Sequence, residues 1–184
     1  MDFSKFPELA KAARGDVQAD LVFRGGNVIN VFTGEILRTS VAVTDGVIVG
    51  IGDAYTGKQE IDLTGKYLCP GFIDGHLHLE STMVTPAELV EQAVKCGTTT
   101  YIADPHEAAN VSGAAGIDYI LDETEDVPAN VYVMMPSCVP ALPFEDNGCT
   151  FDAAEMKKYQ DNPRILGLGE VMDYVSTVNA DPVM

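Results

Sequence analysis

Pro70-Gly71-Phe72-Ile73-Asp74-Gly75-His76-Leu77-His78 decides how this chain is read. The run from Tyr67 to Asp74 is apolar and reads as a buried strand leading into the pair of histidines. Positions i and i+2 of a strand share a face, so His76 and His78 are expected to converge on one point. Two neutral imidazoles placed that way begin a divalent metal site. Polar groups at the end of an apolar strand are costly unless something binds them.

Beyond this stretch the pattern alternates between strand and helix. Thr85-Pro86-Ala87-Glu88 predicts a helix start, with Thr85 as cap, Pro86 first in the helix and Glu88 closing a capping box; Gly97 ends it. Thr98 to Ala103 is β-branched and predicts a second strand. Gly116 to Thr124 predicts a helix, Val131 to Met135 a third strand and Asp152 to Glu155 another capped helix start. Ile165 to Val171 predicts a fourth strand, with the sequence stopping straight after it. Such alternation with apolar strands means a parallel sheet covered by helices. An eight-unit barrel takes roughly 250 residues, so 67–184 corresponds to about half of one. No Gly-x-Gly-x-x-Gly follows the first strand, which weighs against dinucleotide binding.

Ahead of it, residues 4–14 predict a helix closed by Gly15. The segments DLVFRGG, NVINVF, TSVAVT and VIVGIG then predict short β-strands up to about Lys66. Asp45-Gly46 between two apolar runs is a strong hairpin signal, and Gly34-Glu35 a weaker one. This stretch reads as a small sheet or half-sandwich.

Two further clusters carry ligand-type side chains at expected strand ends. Asp104, His106 and Glu107 follow the second strand, and Glu170 follows the fourth. Turn capping is the competing reading for Asp104 and Glu107, and an edge carboxylate for Glu170. His78-Leu79-Glu80 matches the His-x-Glu of the cytidine-deaminase-type zinc fold. That fold is excluded, because Pro136-Ser137-Cys138-Val139-Pro140 holds only one cysteine of its partner motif.

The 184 residues are 46% hydrophobic and 21% charged, a globular composition. Eleven basic against 28 acidic side chains give a net charge of −17, which argues against nucleic acid or an anionic membrane as partner. No apolar run approaches ~18 residues and the first twenty lack a secretory core, so a cytoplasmic protein is expected. The four cysteines form no Cys-x-x-Cys pair and read as buried, reduced thiols.

Taken together, residues 13–36, 70–83 (PGFIDGHLHLESTM), 97–113 (GTTTYIADPHEAANVSG), 134–148 and 165–174 (ILGLGEVMDY) resemble the amidohydrolase superfamily and, within it, the adenine deaminase family. The resemblance implies an α/β fold: the first half of a TIM-like (β/α)8 barrel at 67–184, preceded by a β-rich sandwich segment at 1–66. It implies a binuclear divalent centre of manganese or iron, with zinc as the alternative. His76 and His78 would bind one ion and Glu170 would bridge the two. Asp104, His106 and Glu107 would stand beside it as catalytic residues, contacting substrate or handling protons. The implied reaction is hydrolytic deamination of adenine to hypoxanthine and ammonia, by a full-length protein that forms a homo-oligomer, a dimer. The family also expects histidines on strands 5 and 6, an aspartate on strand 8 and a C-terminal domain. With three histidines in all, the chain reads as an N-terminal piece not expected to deaminate adenine by itself. The competing readings are another amidohydrolase acting on a cyclic amide or N-acyl amino acid, and a non-catalytic metal-binding remnant.

Overall fold

Asp45 and Gly46 both adopt positive φ, 50° and 73°, the backbone that a two-residue type I′ hairpin requires. They join β2 (Ile36–Thr44) to β3 (Val47–Ile51) in a computed structural model that describes residues 3–182 and falls into two compact units, Met1–Pro70 and Gly71–Met184.

The first unit begins with a short helix, α1 (Phe6–Ala13), after which Gly15 turns the chain at φ 75°. Its sheet contains β1 (Ala19–Ile29), β2, β3, β4 (Gly57–Asp62) and β5 (Tyr67–Leu68), in the order β3-β2-β1-β4 with β5 also on β1. Of the two segments expected as separate strands, DLVFRGG and NVINVF, the first and the opening three residues of the second are one strand, which ends at Ile29. Gly25-Gly26 does not break it but lies in a bulge against β2. Ala19, Val22 and Ala42 form a small core with Val49 and Tyr55 packed on it. Arg24 grips both oxygens of Glu60, at 2.9 and 2.6 Å, across the β1–β4 pair.

The second unit is a four-stranded, all-parallel sheet in the order β6-β7-β8-β9: β6 (Phe72–Leu77), β7 (Thr98–Ala103), β8 (Asn130–Met135) and β9 (Ile165–Leu168). Helices α2 (Pro86–Ala93), α3 (His106–Ser112), α4 (Ala114–Glu123), α5 (Ala153–Met156) and α6 (Tyr174–Val178) connect and follow the strands. Every second residue of β7 and β8 is buried: Tyr101 and Ala103, then Val131, Val133 and Met135. These join Val90 of α2 and Ile117, Ile120 and Leu121 of α4 in one core. Their neighbours Ile102, Tyr132 and Met134 point to the other face and are only half-buried. Arg164 ties the layers together. It donates to the Leu121 carbonyl at the end of α4 (2.7 Å), to the Val131 carbonyl on β8 (3.0 Å) and to the Thr124 hydroxyl.

Several expectations need correction. Tyr67-Leu68 pairs with β1, so the strand leading to the histidines starts at Phe72. Phe72 and Ile73 are 63% and 66% exposed rather than buried, because β6 is a sheet edge with a neighbour on one side only among the described residues. Thr85 makes no side-chain cap bond, whereas Asp152 caps α5 through the Ala154 and Glu155 N–H groups. The fourth strand stops at Leu168, and α6 follows before the end of the chain. Cys69 and Cys96 are exposed, while Cys138 is buried and none is in a disulfide. The two exposed thiols sit where the chain leaves β5 and where a 3-10 turn ends before Gly97.

Pairing of β6 with β7 is irregular at two places: Phe72 to Ile73 takes one step against two on β7, and Asp74 to Leu77 takes three against two. The second irregularity includes Gly75 and His76. Among the described residues no helix is long and apolar enough to cross a membrane.

Candidate metal centre

The C-terminal ends of β6, β7 and β9 bring His76, His78, Asp104, His106, Glu107 and Glu170 together. The imidazoles of His76 and His78 stand perpendicular with centroids 4.9 Å apart. One ligand atom each from His76, His78 and Glu170 lies within 4.8 Å of the others, the spacing of a shared cation. His78 Nε2 is 3.8 Å from Glu170 Oε1.

The orientation of His78 follows from its other nitrogen. Nδ1 lies 2.7 Å from the Asp104 carbonyl, which can only accept, so Nδ1 carries the proton and Nε2 keeps its lone pair. Burial opposes the charged form of His78. The Asp104 carbonyl and the carboxylates of Glu107, Asp104 and Glu80 outweigh it and raise the pKa. The main chain of Glu170 is held twice: its N–H donates to Asp104 Oδ2 at 3.2 Å, and its carbonyl accepts from Ser137 Oγ at 2.6 Å.

Asp104 is fully buried, as is nearly all of His106. His106 Nδ1 faces Asp104 Oδ1 in an ion-pair contact, and neither these two atoms nor the buried Nε2 has a hydrogen-bond partner among the described residues. Burial works to raise the Asp104 pKa, but His106, the Glu170 N–H and His78 together lower it. Asp104 is not among the residues that line the open cleft. His106 and Glu107, by contrast, open α3, a helix hidden in the sequence behind Pro105, and both reach the cleft.

Sequence reasoning missed Glu80. A 3-10 turn (Glu80–Thr82) folds it back so that Oε1 accepts from the Ala108 N–H at 3.1 Å. Burial raises its pKa, while Glu107 is lowered: burial opposes that shift, but hydrogen bonds to Glu107 from the main chain, Glu80 and Ser81 and the nearby His78 prevail. The only sequence sign was the His78-Leu79-Glu80 spacing.

A cleft of about 370 Å³ opens on the group, within the range of small-molecule sites. His78, His106, Glu107, Glu145 and Glu170 face it, with Val111, Cys138 and Met172 as apolar wall. Cys138 and Glu145 come from the irregular segment after β8, whose residues show no period to read. The donor set of imidazoles and carboxylates, with both buried nitrogens of His106 lacking a hydrogen bond among the described residues, fits divalent manganese, iron or zinc.

The amidohydrolase family profile matches residues 67–180. Over its whole length the chain is 56% identical to an adenine deaminase of Desulfitobacterium hafniense (strain Y51), covering 32% of that protein. It is 49% identical over 96% of its length to an adenine deaminase of Geobacillus kaustophilus (strain HTA426), covering 30% of that protein. The chain thus spans about a third of the length of these curated relatives. Among solved structures, zinc-complexed atrazine chlorohydrolase TrzN of Arthrobacter aurescens TC1 superimposes with a TM-score of 0.61 at 15% identity, over 80% of this chain and 46% of that one. At that identity the likeness is one of fold alone.

Proposed function

Because this chain belongs to the amidohydrolase family, we propose that it supplies the metal-binding part of an adenine deaminase, which hydrolyses adenine to hypoxanthine and ammonia. The observation that carries the reading is the convergence of His76, His78 and Glu170 within 4.8 Å at the ends of parallel strands. Identity of 56% to an adenine deaminase along the whole chain narrows the substrate to adenine. In this reading the four parallel strands are the first half of an eight-stranded barrel, whose chemistry sits at the strand C-termini. The half-buried face with Ile102, Tyr132 and Met134 is then its interior, and the five-stranded sheet is one layer of a sandwich.

His76, His78 and Glu170 would hold the divalent ions. Bound there, such ions lower the pKa of a water to about 7 and supply a nucleophile at neutral pH. The chain's own side chains do the rest. The His78 Nδ1–H bond to Asp104 keeps Nε2 aimed outward. Glu107, on the cleft side, takes a proton and returns one to a purine ring nitrogen or to the departing amine. Val111, Cys138 and Met172 offer an apolar wall to the purine face and exclude bulk water. Addition of one water at C6 and loss of the exocyclic nitrogen as ammonia balances the reaction.

The test replaces the aligned segment of the Desulfitobacterium enzyme with residues 1–184 and follows ammonia release from adenine. Turnover within the ordinary range of roughly 1–10³ s⁻¹ is expected, and His78→Ala or Glu170→Ala should remove metal and turnover together. A folded chimera that keeps two ions but leaves adenine intact would overturn the substrate. Full activity after Glu170→Ala would overturn the site.

A further inference from the structure

Asp104 spends all four of its polar positions on the site. Its N–H donates to the carbonyl of Leu77, the residue before His78, at 2.8 Å, and its own carbonyl accepts from His78 Nδ1 at 2.7 Å. Oδ1 meets His106 Nδ1, and Oδ2 accepts the Glu170 N–H at 3.2 Å. A buried carboxylate is expensive unless its oxygens find partners; here Oδ2 accepts a hydrogen bond and Oδ1, among the described residues, has its only contact with the His106 ring, in an ion pair, both of them groups of the site. The chain also makes room for it. A Cβ at position 169 would stand 2.5 Å from Asp104 Oδ2 and 3.0 Å from its carboxyl carbon, so only glycine leaves the carboxylate in reach of the next residue's N–H.

We propose that Asp104 is a positioning residue which holds His78, His106 and the main chain of Glu170 in ligand geometry before an ion arrives, and that Gly169 is the space reserved for its carboxylate. The idea rests on the metal-site reading above and adds what sets that site's shape. The chemistry requires a carboxylate. Glu170 N–H can only donate, and a His106 that keeps Nε2 free for an ion must donate through Nδ1. Both partners are then donors, and only a group with two acceptor oxygens serves both. An asparagine has one oxygen. The main-chain N–H cannot become an acceptor but imidazole can, so Asp104→Asn keeps its oxygen on Glu170 and turns its NH₂ toward His106. That drives the His106 proton from Nδ1 to Nε2 and blocks the nitrogen now left open.

The experiment uses the 184-residue chain with ¹⁵N-labelled histidine and Mn²⁺ as probe. Long-range ¹H–¹⁵N spectra of the metal-free chain should place the proton on Nδ1 of both His78 and His106, and finding His106 protonated on Nε2 would overturn the proposal without any variant. Asp104→Asn should switch the His106 tautomer and weaken Mn²⁺ binding about 10–100-fold, the usual cost of losing such support. Gly169→Ala, which keeps the carboxylate but crowds it, should weaken Mn²⁺ binding comparably. Unchanged affinity in both variants would overturn the proposal. Where a variant of the isolated chain does not fold, the same substitution in the Desulfitobacterium chimera, assayed for retained manganese, decides between these outcomes. Should the wild-type chain and chimera both bind no Mn²⁺, the metal-site reading fails, while the His106 tautomer and its switch still decide the role of Asp104.

Discussion

Removing the Arg164 side chain should loosen the second unit by an amount that its contacts fix. The guanidinium serves the Leu121 carbonyl, the Val131 carbonyl and the Thr124 hydroxyl. Thr124 keeps its bond to the Ile120 carbonyl at 2.6 Å, so the loss falls on two carbonyls. Leu121 lies in the last turn of α4, where carbonyls lack a helical partner and a positive charge is favourable. Hydrogen bonds to charged groups contribute ~1.5–3 kcal/mol each, and Arg164 is only half-buried, so the low end applies. Arg164→Ala should therefore cost about 3 kcal/mol. Arg164→Lys keeps the charge but not the fork, serves one carbonyl at a time, and should recover about half of that. The assay is urea unfolding followed through NMR amide signals of Gly71–Met184. With a slope of about 2 kcal/mol/M the midpoint should fall by about 1.5 M for alanine. A loss below about 1 kcal/mol, or complete rescue by lysine, would refute the idea that a planar donor bridging helix and sheet is what matters.

In the first unit, hydrogen bonds from Arg24 and the Gly57 N–H hold the Glu60 carboxyl down to about 2. A depressed folded pKa stabilises above the ordinary value of about 4.3 and is lost as pH falls toward 2. Glu60→Gln should remove that pH dependence, and a wild-type carboxyl ¹³C titration with a midpoint near 4 would contradict it. Tyr159 Oη donates to Asp118 Oδ1 at 2.7 Å, so Tyr159→Phe should cost about 1–2 kcal/mol in the same urea assay. Ile117 is wholly buried between α4 and the sheet, and Ile117→Ala should cost about 3–4 kcal/mol. A value under 1 kcal/mol would mean that the site collapses around the gap.

Those parts of the molecule governed by local chemistry were legible. Thr98–Ala103, with four β-branched residues in six, forms a strand over the range expected. Asp45-Gly46 needed positive φ and has it. His76, His78 and Glu170 could be placed at one edge because strand order and period bring them there. Illegible were features decided by distant partners. β4 (GKQEID) is almost wholly exposed and has no apolar alternation; it is a strand because β1 lends it a ladder. Ile165–Val171 looked like one long strand, but after a last ladder bond from the Gly169 N–H to the Met135 carbonyl the Glu170 N–H turns to Asp104, and the strand ends early. The burial of Asp104 and the return of Glu80 depend on contacts 26 to 66 residues away in sequence, which no local pattern records.

The extra residue in β6 between Asp74 and Leu77 gives the histidine pair a dependence on counting. Side chains along a strand alternate between faces, so each inserted residue exchanges odd for even downstream. His76 and His78 face Glu170 because that count comes out right, as well as because they are histidines. Were Gly75 deleted, every candidate ligand would remain in the sequence and the spacing between the histidines would be intact, yet both imidazoles would be turned to the opposite face. A site of this kind can be switched off by a single lost codon that leaves its signature untouched. It could be restored by a compensating gain anywhere upstream in the same strand.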